Sequence, residues 1–134
     1  MCEGKFTSGK SISANLSFET TLDDNWILFR HDDNPPFSYH ALSEWGWDQK
    51  SQQFVSLVED SAGGARAFYS SGWKDGKLLW EGGSLGLGST HSERFEFTKL
   101  DENAFQVAYS YSKNANWTPI DTSQCTRVKL EPAK

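Results

Sequence analysis

The stretch from Ala41 to Gly83, ALSEWGWDQKSQQFVSLVEDSAGGARAFYSSGWKDGKLLWEGG, decides the fold. It contains three turn clusters in succession: Asp48-Gln49-Lys50-Ser51, Asp60-Ser61-Ala62-Gly63-Gly64 and Lys74-Asp75-Gly76. Between them lie short runs of Trp, Phe, Tyr and Val. Asp, Asn and Ser can close turns on their own backbone, and Gly reaches the left-handed conformations that tight hairpins need. Short aromatic and β-branched runs between such turns are the pattern of an antiparallel meander. Four of the six Trp fall in this stretch, so the meander is also where the heaviest side chains are committed.

The same pattern continues in both directions. Ile12, Ala14, Leu16 and Phe18 alternate with Ser13, Asn15, Ser17 and Glu19, a period of two. After Asp23-Asp24-Asn25, the run Trp26-Ile27-Leu28-Phe29 is apolar on both phases. That predicts a strand covered on both faces, with a partner subunit as one possible cover. His31-Asp32-Asp33-Asn34-Pro35-Pro36 reads as a loop or short helical turn over one end of the sheet, because proline lacks the donor a ladder requires. On the next strand Tyr39, Ala41, Ser43, Trp45 and Trp47 share one face, and His40, Leu42, Glu44 and Gly46 the other. Arg66, Phe68 and Ser70 are in phase, as are Glu93, Phe95 and Phe97, and Phe105, Val107, Tyr109 and Tyr111. Gly82 to Ser89 reads as a flexible glycine-rich loop. The expectation is one all-β domain over residues 1–134: an antiparallel up-and-down barrel of about ten strands. Closure removes exposed strand edges, and at this strand number the interior is wider than its side chains fill.

Composition excludes several classes. The chain has 134 residues and a formal net charge of −5, with its 13 Lys and Arg scattered. Nucleic-acid binding draws on clustered cations, so no nucleic-acid partner is expected. No stretch approaches the roughly 20 apolar residues of a membrane helix, and no membrane partner is expected. No leader pattern is present, which points to the cytoplasm, with the periplasm open if a leader precedes Met1. Cys2 and Cys125 are too far apart in sequence to form a metal-ligand cluster. In a closed meander the first and last strands are neighbours, so a disulfide is geometrically available. Two reduced thiols are the alternative, favoured in the cytoplasm.

The set CEGKF near the start, DDNPPFSYHA, EWGWD, GGARAF, SSGW and the late CTR resembles an uncharacterised bacterial family of lipocalin-like barrels in the calycin superfamily, over about Cys2 to Arg127. The resemblance implies a roughly ten-stranded barrel similar in shape to nitrobindins and fatty-acid-binding proteins, and no established substrate. Nitrobindin-type barrels hold haem through a histidine late in the chain. The last histidine here is His91, so no cofactor is expected.

The residues proposed to bind a ligand are His40, Trp45, Trp47, Arg66, Ser70, Trp80, Arg94 and Tyr109. Arg66, emerging from Gly63-Gly64, has the two-pronged donor geometry that holds a carboxylate or phosphate. Alternatively it forms an ion pair with Glu44, Glu59 or Glu81. Large indole rings either plug a barrel or wall a cavity for a flat ligand. His40 enters the cavity with Glu44 only if the Trp face is the outer one. His31-Asp32-Asp33 reads as a solvated turn rather than a metal or acid–base cluster. The Gly82–Gly88 run lacks the following helix that a phosphate cradle needs, and no catalytic motif or metal set is present. The leading reading is a non-enzymatic barrel for an apolar or amphipathic small molecule, an acid among the options. The others are a small enzyme using a His–carboxylate pair in the cavity, and an assembly protein that forms a homodimer.

Overall fold

The computed structural model describes residues 1–85 and 91–129, and these form eleven strands and no helix. They are β1 (Cys2–Phe6), β2 (Ser11–Thr21), β3 (Trp26–Asp33), β4 (His40–Asp48), β5 (Gln53–Asp60), β6 (Ala65–Ser70), β7 (Trp73–Lys74), β8 (Lys77–Ser84), β9 (His91–Asp101), β10 (Ala104–Lys113) and β11 (Asn116–Thr126). Strands β1 to β6 pair in sequence order, as do β8 to β11. Two seams close the ring: β11 returns to β1, and β6 bonds to β8 across the excluded two-residue ribbon β7. The result is a ten-strand antiparallel barrel with one extra strand, as the turn spacing predicts.

The hairpins form where the sequence places them. Asp48 accepts hydrogen bonds from the Ser51 hydroxyl and backbone amide, which holds its carboxyl below the usual range. Asp60 Oδ1 accepts from the amides of Ala62 and Gly64. Each aspartate thereby satisfies donors that the turn leaves unpaired.

Two elements differ from the sequence reading. Strand β3 continues through His31 to Asp33 before the Asn34–Tyr39 loop, so His31-Asp32-Asp33 is strand and not turn. Pairing of Asp32 with Asn15 on one side and His40 on the other supplies the ladder that carries it on. Strand β8 likewise runs through Gly82 and Gly83 to Ser84. Residues 86–89 of the glycine-rich loop read from the sequence lie outside the described residues. The apolar run at the start of β3 splits by phase. Phe29 faces inward, and Trp26 lies on the outside across Gly46, where no side chain competes for the space.

Inside, the barrel divides into a floor and a collar. At the floor Phe68, Leu78, Trp80 and Phe97 are buried together, with Trp45, Phe95, Phe105 and Val107 packed on them. Trp45 stands at the centre, 5.2 Å from the Trp80 ring, 5.3 Å from Phe97 and 5.3 Å from Phe29. Aromatic pairs at these separations add about 1 kcal/mol each beyond the area they bury. Cys2 and Cys125, directly opposite on β1 and β11, form a disulfide here. Both are 3% exposed, and the open question left by the sequence is answered by the pairing of the terminal strands.

Candidate functional site

Above the aromatic floor the inward positions become small: Ala41 and Ser43 on β4, Ser56 on β5, Ser123 on β11. Small residues facing one another across a ten-strand barrel leave its middle unfilled. A cavity of about 430 Å³ results, walled by Leu16, Phe29, Trp45, Val58, Phe68, Trp80, Phe95 and Val107. That size lies within the range of small-molecule sites. Ser43 and Ser56 share a hydrogen bond of 2.7 Å, and Trp45 Nε1 donates to Ser43 Oγ at 3.0 Å, which fixes the indole in the wall.

The upper wall is polar. Arg66, at the start of β6, donates from Nη1 to Glu93 Oε1 at 2.7 Å and from Nη2 to the Tyr39 hydroxyl at 2.8 Å. Asp60 Oδ2 lies 3.4 Å from the same Nη2 and accepts from Tyr39 at 3.3 Å. Tyr109 donates to Glu93 Oε1 at 2.6 Å. Burial and the neighbouring carboxylates push both phenols up, so Tyr39 and Tyr109 act as donors throughout the ordinary pH range. Burial by itself would lower the Arg66 pKa, but Tyr39, Glu93 and Asp60 outweigh it and the guanidinium stays charged.

A second group adjoins these, the His31 ring lying edge-on 5.5 Å from the Tyr39 ring. His31 Nε2 lies 2.8 Å from Asp33 Oδ1, the imidazole N–H donating, and both side chains line the space. Asp121 projects from β11 opposite Tyr109 and Phe6. Among the described residues it makes no hydrogen bond and no ion pair. Burial pushes its carboxyl up to about 6, against a smaller downward pull from His31. Over the mouth, Phe37 sits on a loop pinned by Asn34, whose amide donates to the Ser13 carbonyl at 2.9 Å and whose Nδ2 donates to Ser13 Oγ at 3.0 Å.

Of the residues proposed from the sequence, Trp45, Arg66, Trp80 and Tyr109 line this cavity together. Ser70 and Trp47 have the inward phase but lie at the closed end. Ser70 is buried and accepts from the Gly72 amide, while Trp47 packs edge-on against Phe54 at the rim. His40 and Arg94 lie outside this cavity. The Trp face is the inner one, so His40 points outward and pairs with Asp32 at 2.7 Å. Arg94 bonds Glu81 and stacks 3.9 Å over the Trp117 ring, also on the outer surface. Arg66 pairs with Asp60 and Glu93, not with Glu44, Glu59 or Glu81.

Comparison with protein-family models and with curated proteins finds no match for this chain.

The sequence reading passed over His31, Asp33, Tyr39, Glu93 and Asp121 as site residues. Signals for four of them were present. Tyr39 is in phase with Trp45, Glu93 with Phe95, and His31 and Asp33 continue the phase of Phe29 once the strand is allowed to run on. A carboxylate–imidazole pair, a carboxyl group whose pKa burial raises and a guanidinium bonded to two carboxylates and a phenol therefore ring one end of an apolar chamber. No group of His, Cys, Asp and Glu among the described residues has the geometry to hold a metal ion.

Proposed function

We propose that this chain is a binding protein for a small, largely apolar molecule, held with its apolar body on the aromatic floor and a polar end at the collar. The observation that carries this reading is the 430 Å³ chamber, which small inward residues leave open between Trp45 and Trp80 below and Arg66 and Asp121 above. An apolar lining with a few convergent polar groups is what small-molecule sites have in common. The lipocalin-like resemblance agrees with the reading without naming a ligand. The sequence allowed an acidic ligand anchored by Arg66. With Glu93 and Asp60 on that guanidinium, its charge is already matched, which favours a neutral or basic polar end.

Native mass spectrometry of freshly purified protein, with a titration of the neutral fluorophore N-phenyl-1-naphthylamine, tests this. A retained small molecule, or saturable fluorophore uptake that Ala41→Phe abolishes without altering the far-ultraviolet spectrum, is expected. A bare mass together with no uptake would end the proposal.

One observation favours a second reading. The His31–Asp33 pair is a base held in orientation by a carboxylate and turned toward the chamber. If the bound molecule is also a substrate for proton transfer at carbon, deuterium from D2O will enter it on incubation with the protein, and His31→Gln will stop the exchange. Absence of incorporation leaves binding as the sole activity.

A further inference from the structure

The charge balance of the collar goes further than the existence of a cavity. Counting His31 as a cation, it has two positive groups, His31 and Arg66, against four carboxyl groups, Asp33, Asp60, Glu93 and Asp121. Three of those carboxyl groups are engaged: Asp60 and Glu93 with Arg66, and Asp33 with His31. Asp121 is not. It lines the cavity, it has no hydrogen-bond or ion-pair partner among the described residues, and its strand neighbours offer none. The Tyr109 hydroxyl opposite it donates its hydrogen bond to Glu93, and Phe6 on the other side is apolar. A carboxyl group desolvated in this way is destabilised when ionised, and a cation placed beside it recovers that free energy. A carboxylate ligand would instead meet the uncompensated Asp121.

The geometry points to a ligand with a cationic head: a small amphipathic amine whose ammonium group pairs with Asp121 while its hydrocarbon or aromatic body occupies the chamber above Trp45 and Trp80. This rests on the cavity reading above and specifies its ligand class. The rings of the wall support it, since they accept an apolar body.

The test compares three probes of equal chain length, octylamine, 1-octanol and octanoate, by calorimetric titration at pH 7.5 with the full chain and its Asp121→Asn variant. Octylamine is expected to bind at least tenfold tighter than octanol, and octanoate weakest. Asp121→Asn is expected to remove the preference for amine over alcohol. A second measurement uses the unaltered protein alone: the ratio of amine to alcohol affinity falls as pH is lowered from 7.5 to 5. Every titratable group of the collar (Asp121, Asp33, His31, Arg66, Tyr39 and Tyr109 in the lining, with Asp60 and Glu93 bonded to Arg66) would only become more positive on taking a proton, so the sign is common to all of them. Equal affinity for amine and alcohol, or a preference for octanoate, overturns the cationic head and leaves the binding cavity standing. Failure of all three probes to bind overturns both.

Discussion

A carboxyl group in the wall of an aromatic cavity costs folding free energy whenever it is ionised, and Asp121 is so placed. Its pKa is raised to about 6 by burial, so the folded state holds the proton more tightly than the unfolded chain does. The sign follows from linkage: the penalty is fully present above the folded value, shrinks as pH falls through it, and vanishes near the ordinary aspartate value. At pH 7.5 in the absence of ligand, the cost is on the order of 2–3 kcal/mol. Asp121→Asn is therefore expected to stabilise the empty protein by that amount at pH 7.5 and by almost nothing at pH 4, as read from urea melts of both proteins. A gain that persists unchanged at pH 4 would show that charge burial is not its source. Arg66 is the opposite case. Its side chain is 17% exposed, and its partners Glu93 and Asp60 are 13% and 9% exposed. Arg66→Met leaves both carboxylates buried without a counter-ion and should cost about 3 kcal/mol. Restoring most of that loss by adding Glu93→Gln would assign it to the stranded charge; no restoration would assign it to packing.

The strands carry their own constraints, and the glycines show where. At the seam between β6 and β8, a Cβ on Gly82 would collide with the carbonyl and backbone of Ala67. At the other seam, a Cβ on Gly4 would meet the backbone of Thr122 and Ser123. Both closures thus depend on inward glycines that let two strands approach where the wall bends. Gly82→Ala is expected to open the β6–β8 seam, which would appear as loss of amide-exchange protection in β6 and β8 while the β2–β3 hairpin keeps its own. Full protection at the seam would mean that the backbone absorbs the clash. The same elements show what the sequence could disclose. Period-two alternation made Trp45, Arg66, Trp80 and Tyr109 legible because each sits on a strand bounded by strong turn residues. Gly82 and Gly83 were hidden, since glycine in a strand resembles a loop until the close approach it permits is seen. His31 and Asp33 were hidden by the Pro35-Pro36 pair, which ends the strand later than the acidic run suggests. Asp121 is concealed by a register shift opposite Tyr109 and Ser110, where Ile120 is the extra residue. Counted by twos from Trp117 on the outer surface, Asp121 falls outside; counted back from Cys125, it falls inside. Only the bulge reconciles the two counts.

For the whole molecule, closure is the property on which the cavity depends, and the two ends of the chain provide half of it. β1 is a five-residue strand held between β2 and β11, the shortest of the ten that make the ring. With so few ladder bonds it would be the first stave to leave, and Phe6 would take part of the cavity wall with it. The Cys2–Cys125 bond ties this strand to its neighbour across 123 positions of sequence. A crosslink closing so long a loop restricts the unfolded chain by about 4–5 kcal/mol in the chain-entropy model, a large share of the stability of a domain this size. Replacing both cysteines with serine is expected to lower the unfolding free energy by roughly that amount while the far-ultraviolet spectrum stays that of a sheet. Exchange protection should then fall first in β1 and the facing part of β11, and last in β4 and β5. Retention of a hydrophobic probe should weaken in the same variant, because a wall that opens at β1 exposes the collar to water. A double variant that loses stability evenly across all strands, with probe binding unchanged, would show that the bond acts on the unfolded chain alone and that β1 is held well enough by its ladder.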